Sequence, residues 1–211
     1  MSNNIINRRF KYTYKNATVY LVAINVLVYF ITSAIWPYGK YYLSMIPTFV
    51  LHGYVYQFFT YMFVHGSFSH ILFNMFTLYV FGRALEERLG TREFLLYYLL
   101  VGTLAGISSF FLYYFVLGTN TFLMGASGAI YGLLLLYAVF FPYNSIYIFG
   151  LIPVKAPYLI IFYFVLEIWS QFGGSTSNVA HLTHLSGLVF GYIYILVRMK
   201  LSPIEVFKRT R

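Results

Sequence analysis

Long runs of apolar residues alternate along the chain with short polar segments. Several runs reach the roughly 20 residues that an α-helix needs to cross about 30 Å of hydrocarbon. Because the runs are continuous, they favour helices over the alternating strands of a membrane β-barrel. The pattern predicts an all-α polytopic membrane protein, a bundle of six transmembrane helices at residues 17–36, 67–85, 94–117, 122–141, 157–172 and 179–197.

The segment between the first two predicted helices, residues 37–66, has a different pattern. It is apolar enough to touch lipid, but proline and glycine interrupt it at Pro37, Gly39, Pro47, Gly53 and Gly66. Such interruptions are typical of turns and loops. We therefore predict a long loop that lies partly in the membrane interface, rather than a seventh span.

The composition agrees with a membrane protein. Hydrophobic residues make up 60% of the 211 residues and charged residues only 9%, whereas about a quarter of a soluble domain is charged. The first apolar run is long enough to span and lacks a small-residue cleavage pattern after it, so we expect it to remain as an anchor. The sequence has no cysteine, so it indicates nothing about the redox compartment or a thiolate metal site.

The uneven distribution of basic residues predicts the orientation in the membrane. Of the 14 lysines and arginines, all except Lys40 fall on one side of the six-helix scheme. Because Lys and Arg are in excess in cytoplasmic segments, both termini are predicted to be cytoplasmic. We expect basic tails at residues 1–16 and 199–211 and a six-helix domain at residues 17–198. Topology and contact with anionic lipid explain the net charge of +9, so no nucleic-acid partner is expected.

In this orientation, the second, fourth and sixth predicted helices run inward and carry polar groups near their outer ends. His70 and Asn74 lie one turn apart on the second helix, Ser127 lies on the fourth, and His181 and His184 lie on the sixth. Any one of them could be structural: a serine can hydrogen-bond to the backbone of its own helix, and a histidine can lie at a helix end that is exposed to water. Because unpaired polar groups in hydrocarbon are costly, their common depth favours one shared, water-filled cavity.

Glycines repeat on two of the same helices. Gly125, Gly128 and Gly132 share one face of the fourth helix. His184, Gly187 and Gly191 have the same spacing on the sixth helix. Small residues at this spacing allow two helix backbones to approach closely. If these faces pack together, the serine hydroxyl can reach that histidine. A role in packing alone remains an alternative for the glycines, and the two roles are compatible.

Three motifs on alternate helices resemble those of the rhomboid intramembrane serine proteases. They are "GASG" around Ser127, "HLSGLVFG" after "AHLT", and "HGSFSHILFNMFTLYVFGRALEERLG". The resemblance covers about residues 48–192. It implies a six-helix bundle whose cavity opens to the outside, with Ser127 as nucleophile and His184 as general base.

The resemblance also implies supporting roles. His70 and Asn74 match the positions that stabilise the oxyanion, and Gly125 matches the glycine two residues before the nucleophile. Tyr131 matches an aromatic residue that packs on the catalytic histidine. Two further matches are structural in the family: His65, a loop histidine, and Glu86, a carboxylate that ties the inner end of the second helix to its neighbour.

Two features of the sequence leave questions open. Many relatives carry Trp followed by Arg in the first loop, where this chain has Tyr56 and Gln57, so the anchoring of the loop is uncertain from sequence. His181 could compete with His184 as the base. The family pattern selects His184, because Gly187 and Gly191 have the family spacing only from that residue.

Hydrolysis by such a pair proceeds through an acyl-enzyme and needs no metal or organic cofactor. The chain has no aspartate, and four of its five glutamates fall near the predicted cytoplasmic face or in the tail. Glu167 is the only conceivable third member, and we predict a Ser–His dyad in which Tyr131 restricts the imidazole by packing. The scattered histidines do not suggest a metal-ligand set.

The predicted substrates are transmembrane segments, such as those of single-span proteins, cleaved near the outer face of the bilayer. The resemblance implies lateral entry between the second and fifth helices, where Phe162, Phe164, Trp169 and Phe172 form a gate or simply contact lipid. We expect a multi-pass protein of a bacterial inner membrane. The alternatives are a catalytically silent relative that binds helices, and a small channel or proton carrier, although the inner halves of the helices offer no polar route.

Overall fold

The computed structural model describes residues 10–148, 151–172 and 178–209, and most of these residues are helical. The predicted tails at residues 1–16 and 199–211 lie partly outside these ranges. The helices and strands are α1 (Ala17–Phe30), α2 (Gly39–Leu43), α3 (Pro47–Leu51), α4 (Gln57–Thr60), α5 (Phe68–Thr77), α6 (Arg83–Leu89), α7 (Thr91–Phe111), α8 (Ser127–Phe140), β1 (Ser145–Ile148), β2 (Ile152–Lys155), α9 (Ala156–Phe172), α10 (Asn178–Tyr194) and α11 (Pro203–Lys208).

Single π-helical turns extend several of the helices. They follow α1, α7 and α10, and one at Leu78–Gly82 joins α5 to α6, so that the chain is helical from Phe68 to Leu89. Each of the six predicted spans therefore corresponds to a helix. Among the described residues, three helices are long and apolar enough to cross a membrane: Ala17–Ile35, Thr91–Val116 and His181–Met199. The count of six spans and the cytoplasmic termini stay predictions.

The start of α1 is fixed by a carboxylate from α6. Glu86 is fully buried and accepts hydrogen bonds from the backbone N–H groups of Ala17 and Thr18 at 2.7 and 2.9 Å. It also accepts from the hydroxyls of Thr18 and Thr91. Burial acts to raise the pKa of Glu86, but the hydrogen bonds from Thr91, Thr18 and Ala17 outweigh it and lower that pKa. A carboxylate also suits the positive end of a helix, so Glu86 joins α1, α6 and α7 as expected.

The predicted long loop at residues 37–66 folds into three short helices, α2 to α4, that pack on the helical domain. Gln57 is fully buried. Its side chain donates to the carbonyls of Tyr41 and Tyr42 at 3.2 and 3.0 Å and accepts from the N–H of Ile46 at 3.1 Å. Gln57 thus anchors this loop through the backbone. Further along, the buried Tyr61 donates its hydroxyl to the carbonyl of Gly102 on α7 at 2.7 Å.

The fourth predicted helix, residues 122–141, begins later than expected, at Ser127. The preceding residues are extended because they pair with the loop: Leu123 and Met45 exchange backbone hydrogen bonds of 2.9 and 3.0 Å, and the N–H of Gly125 donates to Tyr61. Gly125 then adopts a φ of +116°, which favours glycine. Ser127 consequently occupies the first turn of α8.

The glycine faces of α8 and α10 are in direct contact. A Cβ atom at Gly187 would lie 1.9 Å from the carbonyl oxygen of Gly128, and one at Gly191 would lie 3.1 Å from the Cα of Gly132. The predicted close approach of the two backbones is therefore present. Thr183, on the same part of α10, hydrogen-bonds with the hydroxyls of Ser109 on α7 and of Tyr113 in the π-helical turn that follows α7, and this fixes α10 against α7 as well.

Three elements, β1, β2 and α11, were not expected from the sequence. Strands β1 and β2 form an antiparallel pair in which Ser145 lies opposite Lys155. Helix α11 follows Ser202, whose hydroxyl accepts from the N–H of Glu205, and it has a proline in its first turn. A serine cap followed by proline is a recognised start signal for a helix, so this helix could have been predicted from the residues 202–205.

Candidate active site

The N-terminal ends of α8 and α10 bring a hydroxyl and an imidazole together. The Nε2 atom of His184 lies 2.8 Å from the Oγ atom of Ser127, which is hydrogen-bonding distance. Both residues are half-buried. The contact is possible because Gly128, next to Ser127, and Gly187, one turn after His184, let the two backbones touch. The expected meeting of the two side chains is thus present.

The imidazole of His184 is also held by an aromatic ring. Tyr131 lies one turn after Ser127 on α8, and its ring stacks on that of His184 with centroids 4.3 Å apart and an angle of 8° between the planes. This contact restricts rotation of the imidazole about its Cβ–Cγ bond. It agrees with the packing that the resemblance implied for Tyr131.

A buried carboxylate lies on the other side of the imidazole. Glu167 of α9 is 3% exposed, and its Oε1 atom lies 2.9 Å from the Nδ1 atom of His184. The hydroxyl of Tyr131 donates to the same oxygen. The second oxygen, Oε2, lies 2.5 Å from the Nδ1 atom of His181. The sequence left Glu167 as the only conceivable third member and favoured a dyad, because the face of α9 that packs inward could not be read from its sequence; the structure places this carboxylate beside His184.

This arrangement places the two histidines differently. His184 lies between Ser127 and Glu167, whereas His181 contacts the far oxygen of Glu167. The three titratable groups, Glu167, His181 and His184, have potential ligand atoms within 4.8 Å of one another and could hold a metal ion. The sequence had not suggested this set. The same three residues are hydrogen-bonded to each other, and His184 is also hydrogen-bonded to Ser127.

Side chains from α5 converge on the backbone just before Ser127. A Cβ atom at Gly125 would lie 2.6 Å from the Nε2 atom of His70 and 3.6 Å from the Nδ2 atom of Asn74. The Nδ2 atom of Asn74 is buried and has no hydrogen-bond partner within the described ranges. Buried amide donors are almost always satisfied. Asn74 and His70 thus both lie close to the backbone of Gly125.

His65 supports this corner of the site from the first loop. It is fully buried, and its ring packs edge-on against that of His70, with centroids 5.0 Å apart. Burial lowers the pKa of His65 to about 3, so the imidazole is neutral and acts as a packing group.

The aromatic residues proposed for a gate lie on α9. Phe162, Phe164 and Trp169 are exposed on its surface, and the side chain of Phe172 lies outside the described part of the chain. The positions agree with contact to lipid and with a gate.

Comparison with known proteins identifies the family. A family model described as "Rhomboid domain" matches residues 52–201. Rhomboid-like protein 11, chloroplastic, of Arabidopsis thaliana is 30% identical over 161 residues, which are 69% of this chain and 53% of that protein. Rhomboid protease GlpG of Enterobacter sp. (strain 638) is 29% identical over 190 residues, 83% of this chain and 62% of that protein. The chain thus spans about half to two thirds of the length of these curated relatives.

Proposed function

Because the chain belongs to the rhomboid family, we propose that it is an intramembrane serine endopeptidase in which Ser127 is the nucleophile and His184 the general base. The observation that carries this proposal is the 2.8 Å hydrogen bond between the Oγ atom of Ser127 and the Nε2 atom of His184. A serine hydroxyl is a weak nucleophile at its ordinary pKa, and an adjacent base is the usual means of activating it. The two residues have that relation here.

In the proposed reaction, the Oγ atom of Ser127 attacks the carbonyl carbon of the scissile peptide bond as its proton passes to the Nε2 atom of His184. Collapse of the tetrahedral intermediate breaks the C–N bond, and the imidazolium returns its proton to the leaving amine. The acyl-enzyme that remains is an ester of Ser127. Water then attacks it, with His184 again as base, and releases the second product.

Negative charge develops on the carbonyl oxygen in each step. We place that oxygen beside Gly125, near the Nε2 atom of His70 and the Nδ2 atom of Asn74, which has no hydrogen-bond partner among the described residues. The positive end of α8, which begins at Ser127, favours the same charge. Donors arranged in advance in this way are often the largest single contribution to such catalysis.

The protein is an integral membrane protein, and we propose that its substrates are transmembrane segments. In the predicted six-span topology with cytoplasmic termini, the site lies near the outer face of the bilayer. A substrate helix would enter laterally between α5 and α9 and unwind there, because a peptide bond within a helix is not accessible to the serine. Retention of both Ser127 and His184 argues against a catalytically silent relative.

The test is cleavage of a single-span model substrate in proteoliposomes by the wild type, Ser127→Ala and His184→Ala. We expect the wild type to cleave and both variants to lose cleavage while keeping the wild-type unfolding temperature. Each substitution removes a half-buried polar group and leaves the glycine contact between α8 and α10 intact. Cleavage by Ser127→Ala would refute the nucleophile assignment.

A further inference from the structure

We propose that Glu167 is a positioning residue that completes a Ser127–His184–Glu167 triad, an inference that rests on the proposed function of Ser127 and His184. The observation behind it is a continuous hydrogen-bonded chain. The Oγ atom of Ser127 lies 2.8 Å from Nε2 of His184, and Nδ1 of the same ring lies 2.9 Å from Oε1 of Glu167. Helices α8, α10 and α9 each contribute one member.

The positions of the protons follow from the chemistry of the imidazole. A neutral histidine has a single N–H, so one nitrogen donates and the other accepts. If Nε2 of His184 is to accept the proton of Ser127, the N–H must be on Nδ1. The only role left for the Oε1 atom of Glu167 is then that of acceptor. The carboxylate therefore selects the tautomer in which His184 can act as a base.

The remaining neighbours of Glu167 also donate to it. The hydroxyl of Tyr131 donates to Oε1, and the Nδ1 atom of His181, which lies 2.5 Å from Oε2, donates to that second oxygen. An ionised carboxylate can accept from all three partners, whereas a carboxamide can present only one acceptor atom and must point its NH2 group at another of them. Tyr131 thus has two contacts with the triad, because its ring stacks on His184 while its hydroxyl holds Glu167.

The charge of Glu167 matters in the transition state. When His184 takes the serine proton, it becomes a cation that donates from both nitrogens. A buried carboxylate in contact with Nδ1 stabilises that cation more strongly than the same carboxylate would in water, because the attraction between the two charges is less screened. The other glutamates cannot replace it, since Glu86, Glu87, Glu93 and Glu205 belong to α6, α7 and α11.

The experiment measures kcat and KM on a single-span substrate for the wild type, Glu167→Gln and Glu167→Asp. We expect Glu167→Gln to lower kcat by about 10²-fold to 10⁴-fold, as the loss of a triad carboxylate does elsewhere, and to leave KM within about three-fold. Glu167→Asp, which keeps the charge on a shorter side chain, should recover kcat by about ten-fold relative to Glu167→Gln. Glu87→Gln is the matched control, because it makes the same change in a half-exposed ion pair with Arg83, and it should behave as the wild type.

A second variant keeps the proposal testable if Glu167→Gln does not fold. Tyr131→Phe removes only the hydroxyl that holds Glu167 and keeps the ring that stacks on His184, so it should lower kcat by about three-fold to ten-fold with little change in KM. A kcat near the wild-type value for Glu167→Gln or, if that variant is unfolded, for Tyr131→Phe would overturn the proposal. So would a change in KM or in the unfolding temperature alone, which would mark a purely structural role.

The same series distinguishes this proposal from the proposed function. If Ser127→Ala and His184→Ala lose cleavage while Glu167→Gln keeps it, the protein is a protease that works with a dyad. If Ser127→Ala still cleaves, both the function and the triad are refuted.

Discussion

The contact between Gly187 and Gly128 sets how close the serine and the histidine can come, and Gly187→Ala tests it. The new Cβ atom would lie 1.9 Å from the carbonyl oxygen of Gly128, 2.9 Å from its carbonyl carbon and 3.3 Å from its Cα. All three are backbone atoms of a helix, so no side chain can rotate away. To restore an ordinary contact of 3.4 Å, α10 must move from α8 by about 1.5 Å.

That displacement determines the effect on activity. His184 lies one turn before Gly187 on the same helix, and its hydrogen bond with Ser127 is 2.8 Å long. A shift of about 1 Å or more carries the pair beyond hydrogen-bonding distance, and a misplacement of that size can lower a catalytic rate by about 10²-fold. Overpacking of this kind also costs about 1–3 kcal/mol of folding free energy.

The assay for Gly187→Ala combines kcat on a single-span substrate with the unfolding temperature in the same detergent. We expect both to fall. Gly66→Ala is the matched control, because a Cβ atom there would meet only the sulfur of Met124 at an ordinary 3.4 Å, and it should leave both quantities unchanged. If Gly187→Ala keeps the wild-type kcat and unfolding temperature, the glycine contact does not control the distance between Ser127 and His184.

Three further predictions concern the surroundings of the site. Asn74→Ala and His70→Ala should each lower kcat by about 10²-fold to 10³-fold without abolishing cleavage, and an unchanged kcat would exclude that residue from the oxyanion site. His181→Ala should lower kcat by less than about ten-fold, because Glu167 keeps its contacts with Tyr131 and His184; a loss equal to that of His184→Ala would reopen the choice of base. Glu86 has a pKa below its ordinary 4.5, so its contribution to stability is present above that pH and is lost as the pH falls below it. The unfolding temperature of the wild type should therefore fall more between pH 7 and pH 4 than that of Glu86→Gln. An equal fall in both proteins would contradict this.

The parts of the site that could be predicted from sequence are those set by helical periodicity. Residues three, four and seven apart share a face of a helix, so the glycines of α8 and α10 indicated which faces meet. That contact was enough to bring Ser127 to His184. Tyr131, one turn beyond Ser127, followed from the same spacing together with the resemblance.

The position of Glu167 beside His184 could not be predicted because α9 has no polar face. Its sequence, "APYLIIFYFVLEIWSQF", is apolar on nearly every side, so periodicity does not indicate which side packs inward. The depth of Glu167 could be estimated from its position in the span. The direction in which its side chain points depends on how α9 packs against α8 and α10, and that is a property of the tertiary structure.

Long-range contacts account for the other differences. The late start of α8 depends on the pairing of Leu123 with Met45, which are far apart in sequence, and a local pattern of apolar residues does not show such pairing. The anchoring of the first loop also depends on tertiary contacts. The substitution of Gln57 for a family arginine left its anchoring open, and only the fold shows that an amide can bind three backbone groups there.

The most direct test of the central claim is covalent labelling of the protein by a fluorophosphonate, a reagent that reacts with activated serine hydroxyls. The chain has several other serines, so mass spectrometry of the labelled peptide must identify the site. We predict one adduct, on Ser127, that forms in the wild type, is absent in Ser127→Ala and forms far more slowly in His184→Ala. An adduct on another residue, or the same labelling rate without His184, would contradict the account.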